Sequence, residues 1–218
     1  MNSMFTAMLA AATTHVELPV DGSTGVWLKQ GATVISSGMK MTGAVVSSGQ
    51  SQRVYNRGVA ASCFVSAGGS QYVSLGGRAL NTSAYGVGAV VRVYAGGLAS
   101  GGRMEYGATI YVLAGGEAVG LTAQNGGTLH GSSGGTGWSA SILASGGNGV
   151  ARVYAGGNLI STYVSNGACL VSSGGTASGL LVESGGSMYV YSGGTALAVT
   201  SNAGAVIVVS DGGYIEYA

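Results

Sequence analysis

Glycine returns in step along this chain, and a chain punctuated in that way has few folds open to it. One series runs Gly38, Gly58, Gly76, Gly96, Gly115, Gly134, Gly156, Gly174, Gly193 and Gly212, with a spacing of about 19 residues. A second series, Gly31, Gly49, Gly68, Gly88, Gly107, Gly126, Gly146, Gly167, Gly185 and Gly204, lies roughly halfway between. Two glycines per period predict a coil of two half-turns with glycine at the corners, where φ must turn positive and glycine turns it without steric cost. Collagen would need glycine at every third position, and that period is absent.

The segments between corners alternate as half-buried strands do. Three residues before the first-series glycines stand Ile35, Val73, Val93, Val112, Val153, Val171, Val190 and Val209, and five before stand Val91, Ile110, Leu129, Cys169, Met188 and Ile207. Three residues after the glycine a small column runs Ala61, Ala79, Ala99, Ala118, Ala177 and Ala196. Columns in one register are what stacked parallel windings bury. With 46% apolar residues and a net charge of +1, the chain has the hydrophobicity to fold that disordered sequences lack. The expected fold is therefore all-β: a single-stranded parallel β-solenoid of about ten windings, on the order of 48 Å long at ~4.8 Å per winding. Gly131 interrupts the valine column and the Arg53–Gly58 segment carries an extra residue; both read as local bulges. A longer winding before Gly156 predicts a small loop near Asn148. A small membrane β-barrel is the rival fold, but it wants an apolar outer band and longer loops on one side, whereas these outward columns are mixed and the loops short.

Residues 30–218 form the repeat domain in this reading and residues 1–29 an N-terminal capping segment. Met1, Met4, Phe5, Met8 and Ala12 recur at helical spacing, so a short amphipathic helix is expected to cover one end; a secretory signal would want a basic stretch before Phe5, and none is there. At the other end the residues Tyr214 to Ala218 read as an uncapped strand, which a further segment or a second copy would cover.

The stretch GGTASGLLVESGGSMYVYSGGTA at 174–196 resembles the AIDA-type repeat of bacterial autotransporter adhesin passenger domains, and SAGGSQYVSLGGRA at 66–79 and VYAGGLASGG at 93–102 are poorer copies. The resemblance spans most of residues 30–213 and is close in the last three windings. It implies a solenoid displayed outside the cell or on its surface, serving adhesion, self-association or biofilm formation, with heptose on some repeat serines. The matching serines are Ser36, Ser47, Ser172 and Ser173, although a serine on a solvated strand end is the weightier explanation. The chain departs from that family in lacking a convincing export signal and a translocator barrel. It reads as a piece of a longer protein or as a short protein that has adopted the repeat.

Chemistry is hard to place on this sequence. Charged residues are 7% of the chain, against roughly 25% in an average globular protein. The near-neutral balance and scattered basic residues argue against a nucleic-acid partner. No apolar run reaches the ~20 residues of a membrane-spanning helix, so membrane insertion is not expected. Glu105 and Glu183 share a register but lie four windings apart, on the order of 19 Å, too far for a glycosidase pair. Glu105 and Glu117 sit closer in sequence, but no lysine or histidine joins them; the remaining acids are Glu17, Asp21, Asp211 and Glu216. The sequence GGNG at 146–149 is followed by Val150 and Ala151 rather than by the acid of a calcium-binding solenoid. His15, His130, Cys63 and Cys169 have no zinc spacing, and the two cysteines fall too far apart for a disulfide. The expectation is no enzyme, no cofactor and no metal.

One surface feature stands out. Four residues before the reference glycine the outward column runs Val34, Tyr72, Arg92, Tyr111, His130, Arg152, Leu170, Tyr189 and Val208, and two before come Tyr94, Leu113, Tyr154 and Tyr191. Tyrosine and arginine favour interfaces because they bring large area and a polar tip. Tyr72, Arg92, Tyr94, Tyr111, His130, Arg152, Tyr154, Tyr189 and Tyr191 are thus the candidate interaction face, unless the rings only stabilise neighbouring strands. The partners expected are copies of the chain or other protein surfaces, a glycan, or a filament neighbour joined end to end through the last winding.

Overall fold

The computed structural model describes residues 26–29, 32–35, 38–132, 134–144 and 147–218. It is an all-β solenoid of about nine turns, with no helix among the described residues. The capping helix expected near the N-terminus lies outside them. Val26–Lys29, at the end of that segment, is instead a strand running antiparallel to Ala32–Ile35.

From Ala32–Ile35 onward one sheet grows by parallel addition through Ser51–Val54, Ser70–Val73, Val90–Val93, Thr109–Val112, Thr128–Gly131, Val150–Val153, Ala168–Val171, Ser187–Val190 and Val206–Val209. We call its outer side the front face. The valine column is the register of this sheet: Val73 pairs with Val93, then Val112, Gly131, Val153, Val171 and Val190 follow rung by rung. From Val54 to Val190 these valines are buried, as are Val91, Ile110, Leu129, Cys169 and Met188 two residues earlier. Alternation thus places the core as the sequence predicts.

The second sheet makes the remaining two sides of each winding. In most windings these are separate short strands, such as Val59–Ala61 and Phe64–Val65 or Thr136–Trp138 and Ser141–Leu143; in Arg78–Tyr85, Leu98–Glu105 and Thr195–Ser201 they run on without a break. Between them the backbone bends at a third corner, occupied in turn by Gly43, Ser62, Asn81, Gly101, Gly120, Ser139, Ser161, Gly179 and Ala198, all with φ between 48° and 71°. The two-half-turn expectation is therefore corrected to a three-sided winding. The third corner escapes a reading by glycine because serine, asparagine and alanine hold it in five of these nine windings. At Ser62, Ser139 and Ser161 the corner N–H donates to a carbonyl of the next winding, Ser161 to Ser178 at 2.8 Å, which holds the left-handed turn in place.

The paired glycines have two separate causes. At the corner proper, Gly174 and Gly193 take φ of 72° and 74°. The glycine that follows points inward, where a Cβ on Gly175 or Gly194 would sit 2.6 Å from the carbonyl oxygen of Val153 or Val171 in the previous winding. The first glycine is needed for its dihedral angle and the second for close backbone approach.

Both expected bulges are absent. Gly131 lies in register between Val112 and Val153, and Gly137, in the next column of the same winding, leaves a hollow into which Leu159 packs. In the Arg53–Gly58 segment the corner is held by Arg57, with φ of 63°, and Gly58 is the inward second residue of the pair. The small column accordingly begins at Ala60, which pairs with Ala79, while Ala61 pairs with Leu80. The extra residues before Gly156 do form a loop, closed by the Gly149 N–H bonding to the Leu143 carbonyl at 2.7 Å. Val34, expected on the outside, is buried.

The core holds one polar surprise. Gln52 and Gln71 are fully buried in the column that continues as Val91 and Ile110. Gln71 Nε2 donates to Gln52 Oε1 at 2.6 Å, and Gln52 Nε2 lies 3.7 Å from Cys63 Sγ. The two amides share one bond, and Gln71 Oε1 has no partner in the core, a departure from the rule that buried polar groups are paired. Both cysteines are buried and free. Burial pushes the Cys169 thiol up to about 12 and raises Cys63 as well, so neither is suited to act as a nucleophile.

Candidate functional site

The front face gathers the residues singled out by the outward column. Rung by rung, Tyr72 pairs with Arg92, Arg92 with Tyr111, Tyr111 with His130, and His130 with Arg152. Leu170 then intervenes before Tyr189. Tyr94, Tyr154 and Tyr191 stand beside this column at the strand ends, 37%, 38% and 42% exposed. The ladder also holds a residue not singled out above. Arg53 is directly below Tyr72, four residues before the true corner Arg57; counting back from Gly58 lands on the buried Val54 and hides it.

Cations and rings alternate. The Arg92 guanidinium lies 5.8 Å from the ring centre of Tyr72 and 5.4 Å from that of Tyr111, and Arg53 lies 5.9 Å from Tyr72. His130 is 4.8 Å from Tyr111 and 5.5 Å from Tyr154, and Tyr72 stacks with Tyr94 at 6.5 Å. These contacts fix the long arginine side chains against rigid strands, which lowers the entropy a partner's arrival would remove. His130 is pushed down to about 4, first by loss of solvent between its neighbours and then by the Arg152 charge. It is neutral at pH 7, a hydrogen-bonding group rather than a cation.

No aspartate or glutamate stands on the described front strands or at the residue after each of them. The described acids lie elsewhere, and two are engaged by amides one winding on. Glu105 accepts from Gln124 and Asn125, and Glu183 accepts from Asn202 at 2.8 Å. They remain in the separate windings expected of them. Among the described residues no group of three or more His, Cys, Asp or Glu could hold a metal ion, and no helix is long and apolar enough to cross a membrane. Ser47, Ser172 and Ser173 lie at corners, and Ser36 falls outside the described residues.

A second aromatic group, absent from the columns above, sits on the third side. Phe64 stacks with Tyr85 at 6.3 Å and Tyr85 meets Tyr106 at 4.6 Å. These rings step diagonally from winding to winding, so no single column of the sequence displays them.

No protein-family model matches this chain, and comparison with curated proteins finds no match. Among solved structures it is similar to a fragment of TibA, described as hyper-glycosylated by TibC, with 24% sequence identity, a TM-score of 0.45, and 84% of this chain and 90% of that one covered.

Proposed function

We propose that this chain is a non-enzymatic structural repeat protein of the cell surface or extracellular space, and that its front face mediates adhesion or self-association. The observation that carries the reading is the Arg53 to Arg152 ladder. A parallel sheet holds guanidinium groups, tyrosine rings and His130 in one register, with no carboxylate of that face among the described residues to neutralise them. Arginine and tyrosine are the residues that dominate interface energetics. The β-solenoid supplies what such a face needs, a backbone whose rungs cannot shift independently.

Sedimentation velocity and adhesion of beads or cells coated with the protein test the reading, with Tyr111→Ser and Tyr189→Ser for comparison. Wild-type protein should self-associate or adhere, and Tyr111→Ser should lower the effect more than Tyr189→Ser, because Tyr111 touches both Arg92 and His130. A monomer that adheres to nothing, whatever the substitution, would sink it. A glycan-binding role for the same face is the second reading, favoured by the unneutralised arginines.

A further inference from the structure

We infer that the front face between Arg53 and Arg152 binds a linear acidic polysaccharide, its arginines pairing with carboxylates carried on the sugar chain. The inference rests on the front face being the interaction surface and names the partner that its chemistry fits.

Charge complementarity comes first. Among the described residues Arg53, Arg92 and Arg152 have no acidic neighbour on their face, and Arg92, partly buried between the Tyr72 and Tyr111 rings, is held in place for a bidentate anion. A second copy meeting this face head-on would bring arginine against arginine, which disfavours a symmetric contact. Spacing comes next. At ~4.8 Å per winding, Arg53 and Arg92 lie about 10 Å apart and Arg92 and Arg152 about 14 Å. A sugar ring is about as long as the gap between windings, so successive rings can lie over successive rungs with charges meeting arginines at intervals. A stiff polymer with a built-in charge repeat loses less conformational freedom on such a ladder than a flexible acidic peptide does.

The rings argue against single-stranded nucleic acid. Base stacking needs free ring faces, whereas Tyr72 and Tyr111 turn theirs toward Arg92 and one another's neighbours along the ladder. Their phenol hydroxyls suit sugar hydroxyls and carboxylates. Beyond Arg152 the same column runs Leu170, Tyr189 and Val208, so no further arginine extends the charged track.

The test is binding of the purified chain to immobilised polygalacturonate, dextran and polyglutamate at low and high salt, with Arg92→Gln, Arg92→Lys and Arg103→Gln, the last on the third side. Polygalacturonate should bind and weaken with salt. Arg92→Gln should weaken it about tenfold, and Arg92→Lys should recover only part of that, since charge returns without the planar fork. Arg103→Gln should change nothing, and thermal melts should show all variants folded. Equal binding of dextran or polyglutamate overturns the inference. So does no polysaccharide binding at all, in which case front-face adhesion survives if Tyr111→Ser still lowers it. Binding lost equally in Arg103→Gln would overturn the front face itself.

Discussion

The two ends of the solenoid follow the same plan with different fidelity. In the windings from Ala168 to Val190 every inward position of the front sheet is apolar, the corners are Gly174 and Gly193, and the outward rungs are Leu170 and Tyr189. In the windings from Ser51 to Val93 the core contains Gln52 and Gln71, a corner is held by Arg57, and the outward rungs are Arg53, Tyr72 and Arg92. The regular end is where the repeat is closest to a recognisable pattern and has the least on its surface. The irregular end departs from it inside and out, and there the unneutralised charge collects. A consistent repeat specifies the rod; departures that the neighbours can absorb leave room for function.

The contrast can be broken first at the glutamines. Gln52→Leu alone should destabilise the chain by about 1–3 kcal/mol, because Gln71 Nε2 then loses its acceptor in the core. Replacing both glutamines with leucine should recover most of that loss, making the N-terminal core like the C-terminal one. Urea unfolding of the single and double variants measures this, and a double variant as weak as the sum of the singles would refute the paired-amide account.

The corners come next. Arg57→Gly should stabilise by about 1 kcal/mol by relieving a left-handed arginine, whereas Gly193→Ala should cost a similar amount. Thermal melts of opposite sign would sharpen the comparison. Equal and opposite-to-expected shifts would mean that Arg57 makes a compensating contact.

The smallest effect belongs to His130. Its folded value near 4 lies below the ordinary 6.5, so between these pH values the unfolded chain takes up a proton that the folded ring refuses. Its contribution to stability is complete above pH 6.5 and declines as pH falls toward 4. Arg152→Gln removes only the lesser cause and should raise the midpoint part of the way to 6.5. Imidazole NMR titration reads both, and an unshifted midpoint in the wild type would mean that the ring is not packed between Tyr111 and Tyr154.

Much of this was legible beforehand because it is local. Alternation places Val93, Val112 and Val190 inside and Tyr72, Arg92 and Tyr111 outside, and the recurrence of glycine marks two corners of each winding. The third corner, Arg53 and the buried glutamines were not legible. Ser161 sits in the left-handed region with a bond to the adjacent winding to hold it there, and nothing in the residue itself announces this. Arg53 joins the ladder only once Arg57, rather than Gly58, is known to occupy the corner.

The amino-acid sequence by itself determined that this chain is a parallel solenoid and placed the main apolar columns inside, since both follow from periods along the backbone. The tertiary structure alone decided that each winding has three sides, that two amides can share the core, and which ring each guanidinium meets. Those depend on contacts between residues some 19 positions apart, whose register is set by the stacking of whole windings.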